Sequence, residues 1–360
     1  MKSKLTRPII LITFFATTSV IMILIFFIFV PRVTATETQV DSIRQLVKRD
    51  HIQGELLITD QGQNGIRYES FGHANQLTGQ KNSPATLFPI ASLQKAITAI
   101  VVGKLVEQGK LTMQTQLSDF YPNISHAHKI TIRMLLDHRS GIRMQEQLPA
   151  KILQTEKQQL NFTMTHLHST GQFNWDYSDA NYTLLAGIIS QITRQSYAQN
   201  VENDVIEPLH LKHIFFWNQL PKKAVLAQPI SVFKRTENSW LNQKNRLMSA
   251  ELGAGNMYST VFDYDQIISA ICHDRLLQAS TTQLLADDGK ESYAAGLYYD
   301  HENHLHTHGA DNGFETMVDV SENSRIAAIL FVNQGSWQTV KLLNNQIFLK
   351  LVRDSHNIPV

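Results

Sequence analysis

The 360-residue chain contains a single cysteine, Cys272. One thiol excludes an intrachain disulfide and any metal site built from several thiolates, and Cys272 is assigned to core filling. Charge of one sign is lacking as well: 32 Lys plus Arg face 31 Asp plus Glu, a formal net charge of +1. With no long block of like charge there is no field to hold DNA or RNA, so nucleic acid is excluded as a partner. Internal repeats and low-complexity tracts are absent. What remains is an average globular composition, long enough for one large domain or two ordinary ones.

A long apolar run is present near the start. Residues 9–30 carry no charged side chain. As a helix they would span ~33 Å, against about 30 Å of bilayer hydrocarbon. Lys2, Lys4 and Arg7 precede the run, so the positive-inside rule places residues 1–8 in the cytoplasm. The expectation is a single-pass anchor in the cell membrane at 9–30, a tether at 31–38 and an extracellular domain at 39–355. The runner-up is a secreted protein, cleaved near Ala35 after Val33-Thr34. Against it, the run exceeds the ~7–15 residues of a signal core.

Within the domain, "GELLITD" and "IRYESFG" flank the turn-rich "QGQNG" and predict a hairpin. Helices are predicted from Ser92 to about Gln108, in "ITIRMLLDHRSGI" ending at Gly141, and after Tyr177, where Leu184, Leu185, Ile188, Ile189 and Ile192 share a face. "STVFDYDQIISAI" is another, with Asp263 and Asp265 in a solvated first turn. "YAAGLYYD", "HLHTHGA", "FETMVDV" and "RIAAILFVNQG" read as strands, and "WQTVKLLNNQIFLKLVRD" as a last helix. The predicted class is α/β (α+β): an antiparallel sheet built from both chain ends, flanked by helices, with a mainly helical middle lobe.

Ser-x-x-Lys occurs twice, at Ser92–Lys95 and at Ser231–Lys234. The second runs into polar sequence and is discounted. At the first, the structural reading makes Ser92 the N-cap of a buried helix and Lys95 a surface residue. Yet a cation in the first turn opposes the helix dipole, and in a nearly all-round apolar helix it has few exposed directions. The catalytic reading explains it: residues three apart share a helix face, so the amine reaches the hydroxyl, and burial and the dipole should lower the amine's pKa toward that of a useful base.

"FPIASLQKAITAIV", "ITIRMLLDHRSGI", "FNWDYSDANYTLLAGII", "IEPLHLKHIFF", "ELGAGNMYSTVFDY" and "HGADNGFETMVDV" together resemble the serine β-lactamase and penicillin-binding protein superfamily, in its class C-like branch, over residues 40 to 345. The resemblance implies a β-lactamase-like fold and an acyl-enzyme mechanism that uses no cofactor or metal. It implies Ser92 as nucleophile, Lys95 as base and Tyr177 as partner in proton transfer, a phenol helped by the nearby ammonium. The Tyr-x-Asn motif of the branch reads Tyr177-Ser178-Asp179 here, which puts amide recognition at Asp179 in question. For the third motif, His308-Gly309-Ala310 is the first choice and Thr307-His308-Gly309 the alternative register. His308 is expected to be the polar or cationic group facing substrate, and a backbone N–H near Asp311 the oxyanion donor.

Other histidines are read plainly. His304, His306 and His308 alternate and would share a strand face, a metal-site pattern set aside in favour of solvent-facing side chains. His73 and His138 are read as structural. The implied function is an extracytoplasmic serine hydrolase acting on D-alanyl peptides or esters of the cell envelope, with β-lactams as further ligands. A β-lactamase and a binding or sensing module without turnover are the alternatives.

Overall fold

The computed structural model describes residues 35–60, 65–230, 237–286, 293–300, 304–321 and 325–356. The apolar run 9–30 and the second Ser-x-x-Lys at 231–234 lie outside them. Among the described residues no helix is long and apolar enough to cross a membrane. The chain divides into two units between Leu46 and Val47. Helix α1 (Ala35–Arg49) runs over that boundary; the account below concerns the second unit.

Strands β1 (Gln53–Asp60) and β2 (Gly65–Phe71) form the expected hairpin. Leu56, Leu57 and Ile58 of β1 are all buried, each worth about 1.5–3 kcal/mol relative to exposure. Strand β3 (Thr86–Pro89) leads into helix α2 (Gln94–Glu107), which is apolar on nearly all sides and enclosed accordingly. Helix α3 (Ile132–Leu136) is capped by the Thr131 side chain and stops short of the predicted Gly141. Helix α4 (Asp179–Thr193) buries Leu184, Leu185, Ile188 and Ile189 as its spacing requires. Strand β4 (Met257–Ser259) pairs with β3, and helix α5 (Val261–Cys272) follows.

The C-terminal run reads as predicted, except that "YAAGLYYD" splits at Ala295-Gly296 (φ 51° and 89°) into β5 (Tyr293–Ala294) and β6 (Leu297–Asp300); β7 (His304–Asp311), β8 (Phe314–Ser321), β9 (Ile326–Gln334) and helix α6 (Trp337–His356) follow. Among the described residues the main sheet has seven strands in the order β5-β6-β7-β8-β9-β1-β2. Its pairings are antiparallel, and Leu56 of β1 stands opposite Leu330 of β9, which joins the two ends of the domain. The middle of the chain supplies helices, as expected.

One expectation fails here. Asp265 is not solvated, because α5 packs that side on β1 and β9. It is 7% exposed and accepts from the Thr59 hydroxyl at 3.3 Å, and burial pushes its carboxyl up to about 6. Cys272, at the end of the same helix, is half-buried against the main core, consistent with filling.

Candidate active site

Ser92 does not cap a helix. It sits in a tight 3-10 turn, Ala91–Leu93, and neither that turn nor α2 is capped by a side chain. The preceding Ala91 has φ 45°, a left-handed conformation that a residue with a Cβ adopts only under constraint. The hydroxyl is thus presented by a strained turn and is left available for other contacts.

Lys95, one helical turn on, is 1% exposed. Its ammonium has three N–H groups to satisfy. Nζ donates to Ser92 Oγ at 3.0 Å and to the Ala254 carbonyl at 3.0 Å, and it lies 2.7 Å from Asp179 Oδ1. The Ala254 carbonyl is held in place by the loop around it. The Gln94 side chain receives the Asn256 N–H at 2.5 Å and donates to Asn256 Oδ1 at 2.9 Å, while Thr98 donates to the Gly253 carbonyl at 2.7 Å.

The expected lowering of the Lys95 pKa is corrected. Burial does push it down, but the Asp179 carboxylate and Tyr177 outweigh burial and hold it above its ordinary value. Asp179 is the first residue of α4, where the helix dipole favours a negative charge. The branch's usual Asn could not do this, so the departure noted in the sequence decides the charge state of Lys95.

Tyr177 OH donates to Ser92 Oγ at 2.6 Å. Burial lifts the phenol above its ordinary value, with Lys95 opposing and Asp179 reinforcing, so the expected activated phenol is a neutral one. Its ring packs on His138, centroids 4.2 Å apart. His138, read from sequence as structural, is fully buried. Its Nδ1 accepts from the Ser178 N–H at 3.2 Å and the Asn181 amide at 3.0 Å. That leaves Nε2 to carry the proton and donate to Tyr293 OH at 3.1 Å. Burial first, then the Lys95 charge, keeps the imidazole neutral. His138 therefore positions Tyr177; the sequence signal was its place in "LLDHRSG", but its partner Tyr293 lies 155 residues away.

Strand β7 decides the third motif. Thr307 donates to the Gly296 carbonyl at 3.0 Å, and Gly296 lies against the backbone of Lys95 and Ala96. A Cβ on Gly309 would come 2.6 Å from the Ile90 carbonyl oxygen and 3.0 Å from Ala91 Cβ. Thr307 and Gly309 thus face the nucleophile turn, which is the Thr307-His308-Gly309 register. His308 is on the other face with His304 and His306, stacked on Tyr298 at 4.9 Å and edge-on to Trp337 at 4.3 Å. Burial, then the charges of His306, Lys341 and Lys95, lowers it to about 4. The expected cationic role is corrected: the ring is neutral.

The backbone N–H groups near Asp311 are sorted by the turn that follows them. β7 and β8 meet as Asp311 opposite Phe314, across Asn312 and Gly313 at φ 42° and 93°, a two-residue hairpin turn. In such a hairpin the flanking pair exchange their N–H and C=O groups, so the Asp311 N–H is directed at β8. Ladder alternation then turns the Ala310 N–H to the open edge.

A family profile described as Beta-lactamase matches residues 41–351. The chain belongs to the Beta-lactamase family. Its members include penicillin-binding relatives, and the chain is a hydrolase of that superfamily. It is 25% identical to a Bacillus subtilis (strain 168) protein that bears the name penicillin-binding protein PbpX, over 85% of this chain and 77% of the other. It is 28% identical to the teichoic acid D-alanine hydrolase of Staphylococcus aureus, over 62% of this chain and 56% of that protein. Among solved structures, FmtA from Staphylococcus aureus matches with TM-score 0.73 at 23% identity, covering 87% of each chain. The D-amino acid amidase from Ochrobactrum anthropi SV3 matches with TM-score 0.76 at 19% identity, over 89% of this chain and 100% of the other.

Proposed function

We propose that this family member is an extracytoplasmic serine hydrolase that forms an acyl-enzyme at Ser92 on D-alanyl groups of the cell envelope. The observation that carries the reading is the convergence of Lys95 Nζ and Tyr177 OH on the Ser92 hydroxyl, with Tyr177 37% exposed. Similarity to a teichoic acid D-alanine hydrolase and a D-amino acid amidase supports the D-alanyl acyl group. The apolar run 9–30, with Lys2, Lys4 and Arg7 before it, supports an outward-facing, membrane-anchored placement.

The resting ion pair sets the order of events. Lys95 must first pass a proton to Asp179 Oδ1, 2.7 Å away, before its amine can take the Ser92 proton. Ser92 Oγ then bonds to the acyl carbon, and the oxyanion is met by N–H groups of the nucleophile turn and of Ala310. Tyr177 protonates the leaving oxygen as the carbon–oxygen bond breaks, and water later hydrolyses the acyl-enzyme by the reverse route.

Intact-mass analysis of the chain incubated with a D-alanyl ester tests this. The expected result is an adduct of one D-alanyl group that maps to Ser92 and is absent from Ser92→Ala. No adduct and no turnover would overturn the reading, and an adduct that persists without release would favour the binding-module alternative.

A further inference from the structure

The proton relay uses one carboxylate, Asp179, yet three more act on the same place. Glu146 feels the charges of Asp179 and Asp311; Glu251 feels those of Asp311, Asp179 and Glu146. Their positions follow from the fold. On β7 the side chains of Thr307, Gly309 and Asp311 share the face that meets the nucleophile turn, and Gly309 touches Ile90 and Ala91. Asp311 is the next residue on that face. It is 6% exposed; Oδ1 accepts from the Asn312 amide at 3.0 Å, and Oδ2 accepts no hydrogen bond.

Glu251 opens the loop that carries Ala254. A Cβ on Gly255 would stand 3.0 Å from Glu251 Oε2 and 3.4 Å from the Ala91 carbonyl carbon, so this carboxylate lies beside the residue that precedes Ser92. Burial, then repulsion from Asp311 and Asp179, pushes Glu251 well above the usual carboxylate range, and burial pushes Asp311 up too, against Lys244 and Asn312. An arriving cation would relieve both.

Among the described residues, the cations acting on this group are Lys95 and Lys244. Lys95 is occupied by Ser92, Ala254 and Asp179. Lys244 lies over the rings of Phe314 and Tyr258, at 4.2 and 4.5 Å. At the third motif, Thr307 is uncharged, and His308 is neutral and on the opposite face of the strand, so the motif offers no cation to a substrate carboxylate.

We propose that Asp311 and Glu251 form an ammonium subsite beside Ser92 that selects acyl groups with a free protonated amine, as aminoacyl esters and amides have, over substrates that present a carboxylate. The inference rests on the acyl-enzyme reading and gives it a substrate class. Carboxypeptidase substrates and β-lactams carry a carboxylate and fit this charge pattern poorly; a D-alanyl ester carries the amine and fits it well.

The test compares a D-alanyl ester with the propionyl ester of the same alcohol, which differs only by the amine, on the full-length chain. The wild type should prefer the D-alanyl ester in kcat/KM by roughly a hundredfold, since a buried carboxylate left without its charged partner is heavily penalised. Asp311→Asn and Glu251→Gln should each lower kcat/KM on the D-alanyl ester by about tenfold or more while the propionyl ester changes by less than about threefold. Thermal unfolding checks that the variants fold; if Asp311→Asn does not, Glu251→Gln carries the test. Equal use of the two esters by wild type, or equal losses on both in the variants, would overturn the subsite and leave the acyl-enzyme standing. Failure of both esters to acylate wild-type Ser92 would remove the underlying reading, and the subsite with it.

Discussion

Lys95 and Lys244 are each 1% exposed, yet the protein treats them in opposite ways. Both lose hydration, which drives each toward the neutral form. At Lys95 an anion in direct contact, Asp179, with Tyr177 beside it, reverses the sign and keeps the ammonium. At Lys244 the nearest groups include aromatic faces; Asp311 and Glu251 act more weakly, burial prevails, and the amine falls to about 7. Equal burial therefore says little about charge, whereas the identity and contact of one partner says a great deal. In the proposed mechanism the site uses both outcomes: the Lys95 proton enters the relay, while Lys244 is weakened as a cation near Asp311 and Glu251.

The strongest way to break the comparison is Lys95→Ala. Acylation of Ser92, followed by intact mass or by a fluorophosphonate label, should fall by about 10²–10⁴ while the fold survives. Undiminished labelling would remove Lys95 from the chemistry. Asp179→Asn sharpens the contrast next. The carboxylate both raises the Lys95 pKa and takes its proton in the relay, so removing it should lower the plateau of acylation while moving the rising limb of its pH profile to lower pH by about one to three units. An unshifted limb would mean that the ion pair does not set the base.

Lys244→Met probes the other lysine. Its folded pKa of about 7 lies below the ordinary 10.5, so between those values the unfolded chain binds more protons and stability rises with pH. The variant should lack that slope and unfold several degrees higher near pH 6, at ~2–4 °C for each kcal/mol the buried charge costs there. The smallest effect is expected at Asp265. Its folded value of about 6 exceeds 3.8, so the folded chain binds more protons between them and stability falls as pH rises through that window. Asp265→Asn should flatten this segment in denaturant titrations at pH 4 and pH 7; an unchanged slope would place the titration elsewhere.

Much of the fold was legible in the chain itself. α4 announced itself by Leu184, Leu185, Ile188 and Ile189, and the β1–β2 hairpin by two strand-like runs about a turn, because both depend on local periodicity. Ser92, Lys95 and Tyr177 were legible as motif residues, and the structure brings all three together. Two expectations were reversed by distance in sequence. Asp179 stands 84 positions from Lys95, so the ion pair that decides the charge state is invisible until the chain folds. The third motif's register depended on which face of β7 meets Ile90 and Ala91, more than 200 positions earlier. The role of His138 depended likewise on Tyr293.

Sequence alone thus determined which residues could do chemistry and which local elements would carry them, since spacing of three along a helix and of two along a strand is a short-range matter. Tertiary structure decided which proton each group holds and which strand face meets the nucleophile. Electrostatic energies in a buried site vary steeply over a few ångströms, and those ångströms are set by contacts between distant parts of the chain.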